Sequence, residues 1–281
     1  MEGQAAATAA EPEKMDIIAH LSDRPYLDLP FVNAPRLVDG RVSLPRLPVF
    51  ELFGIPIDLS ITRDVVLTWV CGLVVVTVLV AAFRRPRAVP TGLASLLEPV
   101  VLYVRDQIVT PVMGEDGRPF LPYLETVFFF ILTGNLLGLV PYSTSITANI
   151  SVTAALALCT LAVMVGAGIA RHGVFGYVVG LVPAGVPLWL APLMLIVELL
   201  GLFTKPAALC IRLFANNVAG HAVILALIGL VFVFRNAALG LLVVPFTVFL
   251  YLLEVLVAFV QAFVFTLLSS LFIGVAVHPG H

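Results

Sequence analysis

Residues 187–234 read "PLWLAPLMLIVELLGLFTKPAALCIRLFANNVAGHAVILALIGLVFVF". Across that whole length the only titratable side chains with charge at stake are Glu198, Lys205, Arg212 and His221. A helix rises about 1.5 Å per residue, so the run exceeds what a perpendicular crossing of a roughly 30 Å hydrocarbon core requires. A second long apolar run, 240–277, follows the short break "FRNAALG" (234–240). Two geometries fit. Either each run is broken, at Pro192 or Pro206 in the first and near Pro245 in the second, or each is one long helix lying strongly tilted. The tilted pair, folded as an antiparallel hairpin about the break, is the preferred expectation; periodicity alone leaves the broken version open.

The rest of the chain agrees with a lipid setting. Of its 281 residues 60% are hydrophobic and 11% charged, with a mean hydropathy of +1.09, whereas soluble domains carry about 25% charged residues. Charges crowd into residues 1–63 and thin out after 119, where only Glu125, Arg171, Glu198, Lys205, Arg212, Arg235 and Glu254 remain. The net charge of −2 argues against a nucleic-acid partner.

Residues 1–15 have the composition of a disordered tail and lack a signal-peptide pattern. Residues 16–62 form a turn-rich extracytoplasmic segment, with a strand pair expected around 42–59. The span 64–83 stops at "RRPR" (84–87), and a basic cluster beside a span predicts its cytoplasmic end, which puts the amino terminus outside and the carboxyl terminus inside. Residues 91–110 mix charge with an apolar face and predict a cytoplasmic amphipathic surface helix. Further spans are expected at 120–141 and 148–170, then 187–234 and 240–277. The fold class is thus an all-α polytopic membrane protein, with about five embedded helices in a domain covering 63–281. Cys71, Cys159 and Cys210 have no metal-ligand spacing and read as small core residues; no metal or cofactor site is expected.

The polar residues inside the apolar runs form a pattern. Glu198, Lys205 and Arg212 recur at intervals of seven, so on a continuous helix they share one stripe with a drift of about 20° per step. Asn216 lies about 40° off it, and His221 faces nearly the other way. Glu254 and Gln261 are again seven apart. Folding the hairpin about residue 237 sets Arg212 level with Gln261 and His221 level with Glu254. Imidazole beside carboxylate suits proton relay; the same pair could instead only fix helix register. Lys205 could snorkel to a surface or serve the site, Glu198 could pair with Lys205 or act alone, and Asn135 could be interhelical glue. Arg212 differs, because no acid lies one turn away and burying a permanent cation in hydrocarbon is costly. Its counter-charge must come from elsewhere.

"LLGLFTKPAALCIRLFANNVAGH" resembles the signature segment of the subunit a family of bacterial F-type (F1Fo) ATP synthases. "GNLLGLVPYSTSITANISVT" is similar to that family's Asn-Leu-x-Gly-Leu-Pro region, "EVLVAFVQAFVFTLL" to its last helix and "LFGIPIDLSITRDVVLTWV" to the entry of its first span, so the likeness covers most of 50–275. The resemblance implies that the missing counter-charge is a carboxylate on each subunit of a rotating c-ring. It maps the family's arginine onto Arg212, its following amide onto Asn216, its inner-channel acid onto Glu198, its His/Glu pair onto His221 and Glu254 in exchanged order, and its glutamine onto Gln261. Ala215 and Asn217 depart from the family pattern, standing where Gly and an apolar residue are frequent. Implied partners are the c-ring, peripheral-stalk subunit b and the remaining ATP synthase subunits, with protons as the transported ion, in the cell inner membrane. No nucleotide-binding motif is present, so ATP chemistry is expected on partners. The rival class, a stand-alone proton-coupled secondary transporter, normally shows repeated halves, and none is visible.

Overall fold

The computed structural model describes residues 26–28, 41–43, 50–52, 55–57, 60–84, 91–140, 145–181, 187, 189–234 and 237–278; the expected tail at 1–15 lies outside them. Two short antiparallel pairs precede the helices: β1 (Tyr26–Asp28) with β2 (Arg41–Ser43), and β3 (Phe50–Leu52) with β4 (Ile55–Ile57). The second pair falls inside the stretch expected to hold strands. The first begins well upstream of it.

After residue 60 the described elements are helices. The first long helix, α1, spans Arg63–Phe83. The next, α2 (Leu93–Tyr103), passes into a π-helical stretch, Val104–Val109, and a single α-turn, Thr110–Met113. Pro111 accounts for the widened winding, since it has no N–H for the carbonyl four residues back and its ring crowds that carbonyl. Gly114, at φ 60°, ends the turn in a conformation that glycine adopts without steric penalty. A 3-10 segment, Gly114–Phe120, then leads into α3 (Leu121–Gly138). After a second short 3-10 turn, Ile146–Ala148, α4 runs Ile150–Gly180. Asn149 caps it, its side chain accepting from the Ser151 N–H at 2.9 Å. The helix kinks at Gly173, where φ is 71°, just past Arg171.

The last two helices are α5 (Ala191–Phe234, 44 residues) and α6 (Ala237–Val277, 41 residues). Both are continuous through Pro206 and Pro245, so the unbroken geometry holds. At about 1.5 Å per residue each exceeds 60 Å, roughly twice the hydrocarbon thickness, and such apolar helices must lie aslant. Among the described residues five helical stretches are long and apolar enough to cross a membrane.

The core gathers around α3. Leu124 and Ile131 from α3 meet Val104 and Ile108, Leu213 of α5, and Phe265 and Ile273 of α6, all fully enclosed. Helix α3 packs on α1 and α6, while α4 packs on both members of the hairpin. Cys71 and Cys210 are buried in this core, but Cys159 is exposed, contrary to its reading as a core residue. The outward face of the hairpin leaves Phe203, Ile211, Leu252, Leu256 and Phe259 uncovered, as a lipid-facing or partner-facing surface requires. Polar groups collect at the start of α4 and beside its kink. At the start Asn149 donates to Asp64 at 2.8 Å. Just before the kink, Arg171 grips Asp116 through both guanidinium nitrogens and His278 reaches the same carboxylate at 2.8 Å.

Candidate functional site

The site begins with two residues of α3 that share a face, Asn135 and Gly138. A β-carbon at Gly138 would fall 2.5 Å from that of Ser145, so only glycine lets the turn before α4 close down on α3. That approach brings buried Thr147 over buried Asn135, where the threonine hydroxyl donates to Asn135 Oδ1 at 2.5 Å and shares a hydrogen bond with Ser145 Oγ at 2.9 Å. Helix α5 joins the same cluster: Asn217 Nδ2 donates to Asn135 Oδ1 at 2.9 Å and to Thr147 Oγ1. Asn135 therefore bridges α3 to the turn before α4 and to α5 through its carbonyl oxygen.

One residue earlier on α5, Asn216 Nδ2 donates to Gln261 Oε1 of α6 at 2.9 Å. Farther along the hairpin, Glu254 lies against Gly220; a β-carbon there would sit 2.3 Å from Glu254 Oε1. Gly220 thus makes room for a carboxyl between two tightly packed helices. The other carboxyl oxygen, Oε2, is buried without a hydrogen-bond partner among the described residues, leaving it open to a proton or a water. Asn135, Asn216, Asn217, Glu254 and Gln261 together border a cavity with about 20 Å³ open to the centre of a water molecule, room for about one water.

The axial level expected for the hairpin is right to within a turn, but two partners differ. Gln261 meets Asn216 where Arg212 was expected, and Glu254 meets Gly220 where His221 was expected. No hydrogen bond or ion pair joins His221 to Glu254. Matching residue numbers across a hairpin fixes height along the axis and says nothing of direction around it. His221 follows Gly220 by about 100° of rotation, enough to carry its ring off the α6 side.

Arg212 is exposed, on the side of α5 away from the core, with Ala208, Ala215 and Ala219 exposed around it. Among the described residues it has no ion-pair or hydrogen-bond partner. Toward the start of α5 the stripe continues as an ion pair, Lys205 Nζ to Glu198 Oε2 at 3.8 Å, with the ammonium 6.0 Å from the Phe272 ring centre. Both side chains are half-exposed. Arg212 therefore separates two polar levels: Glu198 with Lys205 on one side, and the Asn216–Gln261 and Glu254 groups on the other. Sequence reasoning missed Thr147, Ser145, Asn217 and Gly220 as members of the site. A signal existed for Gly220, since a small residue opposite a membrane-embedded acid is what close packing would need.

Residues 65–274 match the protein-family model described as ATP synthase A chain. The chain is 43% identical over 279 residues to ATP synthase subunit a of Chloroherpeton thalassium, covering 96% of this chain and 79% of that relative. It is 44% identical over 269 residues to ATP synthase subunit a of Myxococcus xanthus, covering 93% and 87%. A third similar protein is ATP synthase subunit a of Pelodictyon phaeoclathratiforme, 44% identical over 250 residues and covering 86% and 72%.

Proposed function

Because the chain belongs to the ATP synthase A chain family, we propose that it is the stator of the membrane sector, a multi-pass subunit passing protons to and from carboxylates on a rotating c-ring. The observation that carries the reading is Arg212, a permanent cation exposed on an apolar face and without an ion-pair or hydrogen-bond partner among the described residues. Small residues on either side of it would let a partner helix approach closely.

Protons from outside enter through the polar groups around Asn135, Asn217 and Glu254, with His221 on the same half of the hairpin. They neutralise a ring carboxylate, which can then face lipid at low energetic cost, as its ionised form cannot. After nearly a full turn the acid reaches the inner half-channel, where Glu198 accepts its proton. Arg212 then holds the ionised carboxylate, because a nearby opposite charge favours the charged form. It also opposes direct proton passage between the two levels. The driving force is about 2.3 kcal/mol per proton per 100 mV, plus any pH gradient. Peripheral-stalk subunit b holds this chain still, and the amino terminus lies outside the inner membrane, a reading that the basic cluster at 84–87 supports.

Arg212→Lys tests the reading in the assembled complex. An ammonium can lose its proton when desolvated, whereas a guanidinium does not, so proton-driven ATP synthesis is expected to fall to background with the complex still assembled. Synthesis at the unmodified rate would overturn the mechanism.

A further inference from the structure

We propose that Asn217 is a positioning residue for Arg212: together with Asn216 it fixes the rotational setting of α5, and so the direction in which the guanidinium points. The proposal rests on the reading of Arg212 above. Two successive carboxamides on α5 point about 100° apart and grip different neighbours. Asn216 reaches α6 through Gln261 at 2.9 Å. Asn217 reaches α3 through Asn135 at 2.9 Å, and also Thr147 Oγ1 before α4.

Both of Asn217's acceptors are buried and bonded to each other, Thr147 donating to Asn135 Oδ1 and also tied to Ser145 of its own turn at 2.9 Å. They form a fixed anchor. The apolar contacts of the same helix, Leu209 and Leu213, hold α5 against the core but are non-directional. Hydrogen bonds are directional and weaken steeply as they bend. The amides therefore set the angle that the leucines leave loose. Arg212 is one turn before Asn216 and about 40° around from it. A turn of α5 by about 20° would swing a side chain about 6 Å from the axis through about 2 Å, which is most of the difference between contact and separation for an ion pair.

The test uses the assembled complex in inverted membrane vesicles and reads protons pumped per ATP hydrolysed, normalised to the complex present. Asn217→Leu keeps the size and removes the donors. It should lower that ratio roughly threefold to tenfold, the factor that one or two neutral hydrogen bonds are worth, and Asn217→Gln should recover part of it. A merely structural role would reduce the amount of complex and leave the ratio unchanged, and an unchanged ratio overturns the proposal. Arg212→Ala, run alongside, separates the two readings. If it pumps normally, the role of Arg212 itself fails; if it uncouples while Asn217→Leu pumps normally, only the positioning fails. Should the Asn217→Leu complex not assemble, Thr147→Val removes one acceptor and should lower the ratio about twofold. No change there overturns the proposal equally.

Discussion

The two sides of α5 at one level treat polarity in opposite ways. Toward the core, Asn217 is held by Asn135 and Thr147, and Cys210 lies 3.4 Å from the Thr153 hydroxyl. Both of these groups are matched within the chain. A turn away on the outward side, Arg212 carries a full charge and has no partner among the described residues. Satisfied polar groups belong to the fold, because an orphaned one would be expensive in an apolar interior. Arg212 is the group proposed above to meet another molecule.

That contrast breaks most completely if Arg212 is given an acid of its own. Ala208→Glu places a carboxylate one turn before it on the exposed face, where an i, i+4 pair can form. Proton-driven synthesis by the assembled complex should fall to background, as fully as if the arginine were removed; retention of synthesis would mean that the vacancy beside Arg212 is incidental. Next comes the crowded side of the hairpin. Gly220→Val drives a branched side chain into Glu254, and passive proton conduction through the membrane sector should drop by about a hundredfold, the lower end of what a positioned proton-transfer group contributes. A smaller effect, this time on stability, tests the satisfied cluster. Asn135→Leu strands the Asn217 donor and the Thr147 hydroxyl, and should destabilise the chain by about 1–3 kcal/mol, read as a lowered unfolding midpoint in detergent. The least response belongs to the exposed ion pair beside the kink of α4. Arg171→Ala removes a bridge that is half in water, and should change the same midpoint by less than about 1 kcal/mol.

Much of this was visible in the residues alone, and the limits have physical causes. Apolar length set the helices: 64–83 anticipated α1, and the two long runs anticipated α5 and α6, because in lipid only a fully hydrogen-bonded helix accounts for so many apolar residues in a row. Arg212 stood out because no acid lay within a turn. What a linear reading lacked was azimuth and backbone approach. Gln261 could be set at the right height yet paired with the wrong side chain, one turn off. The Thr147–Asn135–Asn217 cluster depends on a turn closing over Gly138, a contact made possible by an absent side chain. Cys159 was misread for a related reason: an apolar neighbourhood in sequence does not say which flank of α4 faces lipid.

The great length of the hairpin helices has a geometric outcome. A rod that leans across the bilayer converts depth into sideways displacement, so its residues descend like the treads of a ramp. Glu198, Arg212 and the Glu254 level, ordered along that incline, stand at different depths and also at different lateral stations. A body sliding past in the membrane plane would therefore meet them one after another, and movement along one direction would become exchange along the perpendicular one.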